Sequence, residues 1–161
     1  MAVTQADVET FLAANKSVAG SVLTWRERGC DWLIWDASVE SDGLLRGRLY
    51  LEFNRSVPNR YSFTLYLHRP AIYGWHFRPW GRHRNRRGCP PDFGTSARYP
   101  HEQKWIEGIG FECARLLPGI EGLSHREHLE MFCDRANINL QPSYRAPLLA
   151  EQTVMHFEEQ E

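Results

Sequence analysis

The chain has 161 residues, 42% of them hydrophobic and 24% charged, and a net charge of −1. That length suits one domain able to bury its own core, and that composition excludes a largely disordered chain. No run of 18 apolar residues exists and the first residues lack the basic region and apolar run of a secretory leader, so a cytoplasmic protein with no membrane association is expected.

Thr4 to about Lys16 predicts a helix, because Thr4 and Asp7 stand in capping-box positions and Val8, Phe11 and Leu12 share one face. Gly20 breaks it. Strands are expected at Ser21–Arg28, Asp31–Ala37, Leu44–Phe53, Arg60–His68 and Ile72–Phe77, with a short one at His101–Glu107. Leu45, Leu49, Leu51 and Phe53 alternate with Arg46, Arg48, Tyr50 and Glu52, while Tyr61, Phe63, Leu65 and Leu67 share a face. Such alternation, rich in aromatics, marks an antiparallel sheet covered on one side. Residues 79–100 are punctuated by Pro79, Gly81, Gly88, Pro90, Pro91, Gly94 and Pro100 and read as a long ordered loop. Ser124–Ala136 predicts a second helix with a Ser124/Glu127 capping box and the apolar stripe Leu129, Phe132, Cys133 and Ala136. The expected fold is α+β: an antiparallel sheet of about five to six strands covered by an N-terminal and a C-terminal helix. One domain covers 1–145, and an acidic tail covers 146–161.

Charge is segregated along this frame. Residues 68–105 carry eight Lys/Arg against two Asp/Glu, a net +6, and residues 106–161 carry four against ten, a net −6. A segment so basic in a near-neutral chain points to an anionic partner, or else pairs with the acidic third of its own chain. Within it, Arg82, Arg84, Arg86 and Arg87 surround His83 and Asn85, with Arg78 and Arg98 nearby. Guanidinium forks fit phosphate oxygens in pairs, and Trp80 and Trp105 supply platforms on which bases stack. Nucleic acid is the expected partner, RNA ahead of DNA.

His83 and His101 bracket the loop. Two histidines that meet can cleave RNA without metal, one taking the 2′-hydroxyl proton and the other protonating the leaving oxygen. Asn85 would orient a phosphate or base, and Lys104 would stabilise the developing charge. His68, His76, His83 and His101 could instead form a metal site, but no H-x-H or H-x-x-x-H spacing occurs. No metal or other cofactor is expected. His125 and His128 share a helix face, and His128 reads equally as a surface residue. The four cysteines, at 30, 89, 113 and 133, form no C-x-x-C pair, so reduced thiols are expected, with Cys89 lacking an evident partner. The glycine-rich phosphate loops and the G-x-S-x-G elbow are absent.

Arg60-Tyr61-Ser62-Phe63, Tyr73-Gly74-Trp75-His76-Phe77 and Gly81-Arg82-His83-Arg84-Asn85 together resemble the R-Y-x-Y…D-N…H-H-R-H run of the TumE-type toxins of bacterial toxin–antitoxin pairs. His83-Arg84-Asn85, Tyr99-Pro100-His101, Lys104-Trp105, the downstream helix and Cys133 with Asn137-Ile138 resemble an uncharacterised family of small prokaryotic proteins with an H-x-N…P-H-x-H pattern. The resemblance covers residues 58–140 and implies a small α+β protein of a bacterial or mobile-element defence setting, an RNA-acting toxin. His83, Asn85 and His101 match position by position. Gln103 stands where the pattern has another histidine, and Arg78-Pro79 where it has D-N.

The expected function is a metal-independent, toxin-like ribonuclease, with an antitoxin or host complex as a further partner. The alternative is a non-enzymatic binder or inhibitor from a mobile element, whose acidic residues Glu151, Glu158, Glu159 and Glu161 could mimic phosphates. Self-association of basic and acidic segments between copies is a third arrangement.

Overall fold

The alternating strands dominate the architecture. The computed structural model describes residues 2–43 and 45–150. In chain order these form α1 (Gln5–Ala13), β1 (Lys16–Val18), β2 (Arg26–Arg28), β3 (Trp32–Ser41), β4 (Arg46–Asn54), β5 (Tyr61–Leu67) and β6 (Ala71–Phe77). Then come β7 (Arg82–Arg84), a 3-10 turn (Pro91–Phe93), β8 (Ser96–Arg98), β9 (His101–Ile106), β10 (Gly110–Leu116), α2 (His125–Arg135) and β11 (Ile138–Leu140).

Nine strands form one sheet among the described residues, in the order β10-β9-β6-β5-β4-β3-β1-β11, with β2 also paired to β3. All its pairings are antiparallel except β1 with β11. Strands β7 and β8 make a separate two-stranded ribbon. The class is the expected α+β, but the sheet has more than the expected five to six strands. β1 and β11 were hidden because three residues are too few to show a period. β10 was hidden because Phe111, Cys113 and Arg115 do not form an apolar row against Glu112, Ala114 and Leu116. Conversely, only Arg26–Arg28 of the expected strand 21–28 is strand.

Both helices cover the same face. Leu49, Leu51, Phe63, Leu65, Leu67 and Trp75 are fully buried beneath them. Phe132 of α2 stacks on Tyr73 at 5.4 Å, edge-on to Trp75 at 5.6 Å. Phe11 of α1 sits over Gly47, where a Cβ would lie 2.6 Å from its ring and 2.4 Å from the Tyr66 carbonyl. Both expected capping boxes form, Thr4 with Asp7 and Ser124 with Glu127. The expected α2 stripe, Leu129, Phe132, Cys133 and Ala136, is buried.

The first helix stops at Ala13, short of Lys16, because Lys16 turns back to close it. Its buried Nζ donates to the carbonyls of Phe11 (2.6 Å), Leu12 (3.1 Å) and Ala14 (2.6 Å). A cation at the negative end of a helix satisfies carbonyls that have no partner in the helix itself. Burial nonetheless pushes its pKa down to about 8. Residues 143–145 bind back to the body: Leu23 N donates to Ser143 O and Trp25 Nε1 to Arg145 O. Leu44, the first residue of one expected strand, and tail residues 151–161 lie outside the described residues. No described helix is long and apolar enough to cross a membrane.

Candidate nucleic-acid interface

The chain leaves the sheet after β6, forms the β7–β8 ribbon, and re-enters as β9 beside β6. What reads as a loop is thus an excursion with its own strands. Register sets Arg82 opposite Arg98, His83 opposite Ala97 and Arg84 opposite Ser96. Alternation then sorts the side chains: Ala97 is buried and His83 half-buried, while Arg82, Arg84 and Arg98 face solvent. Like charges directly opposite on a strand pair are destabilising, so something else must hold the ribbon.

Three devices do so. Asn85 acts as a surrogate strand neighbour for the outer edge of β10. Its Nδ2 donates to Ala114 O at 2.8 Å, and its Oδ1 accepts from Ala114 N at 2.8 Å. Nδ2 also lies in donor reach of Phe93 O and Gly94 O. A disulfide joins Cys89 to Cys113 of β10. Phe93 is buried, with the Arg115 guanidinium 5.1 Å from its ring centre. The bridge corrects the expectation of four reduced thiols: only Cys30, exposed, and Cys133, buried, are free. The partners are 24 residues apart, so no local spacing announces them.

Arg78, Arg82, Arg84, Arg86, Arg87 and Arg98 are all exposed, and none makes an ion pair among the described residues. The arrangement in which the basic segment pairs with acidic residues of its own chain is therefore not seen within 106–150. Trp80 stands beside them, 69% exposed. Arg78 lies over the Tyr99 ring at 5.1 Å. Trp105 is elsewhere, half-buried and packed against the main core.

Of the candidate acid–base set, His83 and His101 come together, with ring centres 5.4 Å apart. His76 joins them at 5.5 Å from His101, and Tyr99 lies 4.4 Å from it. His101 is 1% exposed. Its Nε2 lies 3.4 Å from Gln103 Oε1, and its Nδ1 has no partner. Burial lowers the pKa of His101 to about 4 and that of His76 to about 3, so both rings are neutral at neutral pH. His83 Nε2 donates to the Glu112 carbonyl at 2.8 Å, which holds a proton on that nitrogen.

The other two candidates stand apart. Asn85 has its amide committed to the main chain. Lys104 points to the opposite face of the sheet from His101, since it pairs with Tyr73 while His101 pairs with His76. Its Nζ sits 6.0 Å from the Tyr73 ring centre.

His68 is exposed in the β5–β6 turn with φ 55. No group of three or more His, Cys, Asp or Glu side chains is placed to hold a metal ion among the described residues. His128 is no surface residue: it is buried, its Nε2 donates to Ile120 O at 2.8 Å, and its Nδ1 is hydrogen-bonded with Tyr61 Oη at 2.7 Å. His125 Nδ1 bonds Tyr144 Oη at 2.7 Å.

The sheet face away from the helices carries a feature the sequence reading passed over. Arg48 lies over Tyr66 at 4.7 Å and Tyr50 at 5.6 Å, and Arg60 over Trp32 at 4.9 Å. Arg28 pairs with Glu52 and Arg26 with Asp36. Between the Trp32–Arg60 wall and the His76–Arg78–Phe111 wall lies a cavity of about 280 Å³, floored by Tyr50, Ser62, Thr64 and Tyr66. The available signal was tyrosine in the polar half of two alternating strands, where neither core packing nor solubility asks for an aromatic ring.

Comparison with known protein families, with characterised proteins and with solved structures finds no match to this chain.

Proposed function

We propose that this chain binds single-stranded nucleic acid, RNA ahead of DNA, along the β7–β8 ribbon. The observation that carries the reading is six exposed guanidiniums without carboxylate partners among the described residues, Arg82, Arg84 and Arg98 on the pinned ribbon and Arg78, Arg86 and Arg87 in the segments that flank β7. A phosphate backbone offers the charge that this surface lacks, and Arg82 and Arg98, opposite one another, form a fork for one phosphate. Exposed Trp80 adds a face on which a base stacks. Trp105, packed in the core, is left out of this surface, and Lys104 is left out because it lies on the far side of the sheet.

A second reading rests on the approach of His83 and His101 to 5.4 Å. In it the chain is a metal-independent ribonuclease of a toxin–antitoxin or defence system, as the motif resemblance implies. Chemistry at that pair requires the ribbon to lift, because His101 is buried under it. A third possibility, a non-enzymatic inhibitor that meets an antitoxin or host complex, uses the same arginines toward a protein's acidic face.

One experiment separates these readings. Labelled single-stranded RNA and DNA are incubated with the protein, with and without EDTA, and read for mobility shift and cleavage. A salt-sensitive shift without cleavage is expected. Cleavage that survives EDTA and is lost in His83→Ala establishes the second reading. No shift and no cleavage refutes both and leaves the protein-contact reading.

A further inference from the structure

The cavity on the outer sheet face has the composition of a small-ligand site rather than a gap between side chains. Its aromatic surface comes from Trp32, Tyr50, Tyr66 and Phe111. Its floor carries the Ser62 and Thr64 hydroxyls, neither of which makes a hydrogen bond among the described residues. Its wall includes His76, whose buried Nε2 has no partner. A buried polar atom left unpaired costs free energy that a ligand's polar group recovers. Gly74 lets Phe111 and His76 pack close onto the sheet as that wall: a Cβ there would lie 3.0 Å from Phe111 and 3.2 Å from His76 Nε2. Two guanidiniums, Arg60 and Arg78, line the cavity without ion-pair partners among the described residues, while the lining carboxylate, Glu52, is neutralised by Arg28. The volume is at the small end for ligand sites, room for one ring system.

Aromatic walls select a flat ring, unpaired hydroxyls and imidazole select polar ring edges, and the two guanidiniums select a negative charge attached to that ring. We infer that this cavity binds one nucleotide, its base between the aromatic walls over Ser62 and Thr64 and its phosphate at Arg60 or Arg78. The nucleotide is either a free mononucleotide or an unstacked residue of a strand. The strand source rests on the ribbon reading and has a physical route. Arg78 lines the cavity and also lies over Tyr99, and Tyr99, His101 and His83 are in ring contact up to β7. In that case the ribbon holds the backbone while the cavity chooses a base, a division common to proteins that read single strands.

The test titrates the full chain with each of the four ribonucleoside 5′-monophosphates and with ribose 5-phosphate, followed by amide NMR shifts. In parallel, a short RNA and the same RNA carrying abasic sites are tested for binding. The variant Ser62→Ala/Thr64→Val removes only the floor hydroxyls, and circular dichroism confirms its fold. Expected is binding of at least one nucleotide, shifts centred on Ser62, Thr64, His76 and Phe111, no ribose 5-phosphate binding, and a loss of about tenfold or more in the variant. Mononucleotide binding identifies the free source. Binding seen only in the strand, and weakened both by abasic sites and by the variant, identifies the unstacked base. If the RNA binds equally well with abasic sites and to the variant, and no mononucleotide binds, the cavity inference is overturned while the ribbon reading stands. If a mononucleotide binds and the RNA does not, the inference stands and the ribbon reading falls. If neither binds, both fall.

Discussion

Breaking the Cys89–Cys113 bridge tests how the ribbon is held. The link closes a loop across 24 residues that contains the 3-10 turn, β8 and β9. The entropy such a loop loses in the unfolded chain corresponds to about 3.5 kcal/mol of stability. For a domain of this size that loss lowers the melting temperature by roughly 10 °C. The variant is Cys89→Ser with Cys113→Ala, because Cys113 is fully buried and a serine there would bury an unpaired hydroxyl. Thermal unfolding is compared for the variant, the native protein and the native protein with a phosphine reductant. Thiol titration of the unfolded, unreduced chain should count two groups, Cys30 and Cys133. Four thiols, or a melting temperature unmoved by reductant, refutes the bridge and the account of how like charges are kept opposite.

Asn85→Ala strips β10 of its surrogate neighbour and leaves main-chain groups of Ala114, Phe93 and Gly94 without their bonds. A loss of about 2 kcal/mol in urea unfolding is expected, with faster amide exchange at Ala114. Gly47→Ala forces a methyl to within 2.4 Å of the Tyr66 carbonyl and 2.6 Å of the Phe11 ring. It should cost about 2 kcal/mol or more by chemical denaturation, and a change below about 0.5 contradicts the packing described. His101 has its pKa depressed by burial from 6.5 to about 4, so below 6.5 the unfolded chain binds a proton that the folded chain refuses. Its contribution is whole above pH 6.5 and falls away as pH drops toward 4, by about 3 kcal/mol in all. Stability measured between those pH values should slope less steeply in His101→Gln.

The sequence carried the middle of this fold well and its margins poorly. The inward rows of β4 and β5 and the two capped helices were visible because each repeats its period over several turns or pairs. β1 and β11 were not, since a three-residue strand has no period of its own and is defined by its partner. The ribbon was obscured by its prolines and glycines, which mark turns but say nothing of the short strands between them. Its arginines were legible as a charged cluster, and their exposure follows from alternation against His83 and Ala97. The meeting of His83 and His101 was conjectured from bracketing alone. The burial of His101, and the separation of Lys104 onto the other face, depend on β9 pairing with β6 in a register no local pattern records. The disulfide and the outer-face cavity are products of tertiary contact, between segments far apart in the chain.

The central claim is that the arginine ribbon binds a nucleic-acid backbone, and the salt dependence of binding tests it most directly. Affinity for a single-stranded RNA is measured over a range of salt for the native protein and for Arg82→Gln/Arg98→Gln. With roughly 0.7 of a log unit per phosphate neutralised on a single strand, engaging most of the six arginines gives a slope of about −3 to −4. The double substitution removes the fork for one phosphate and should make that slope shallower by about 0.7, while the melting temperature holds or rises because two opposed like charges have gone. A flat salt response, or a slope that the substitution leaves unchanged, contradicts the claim.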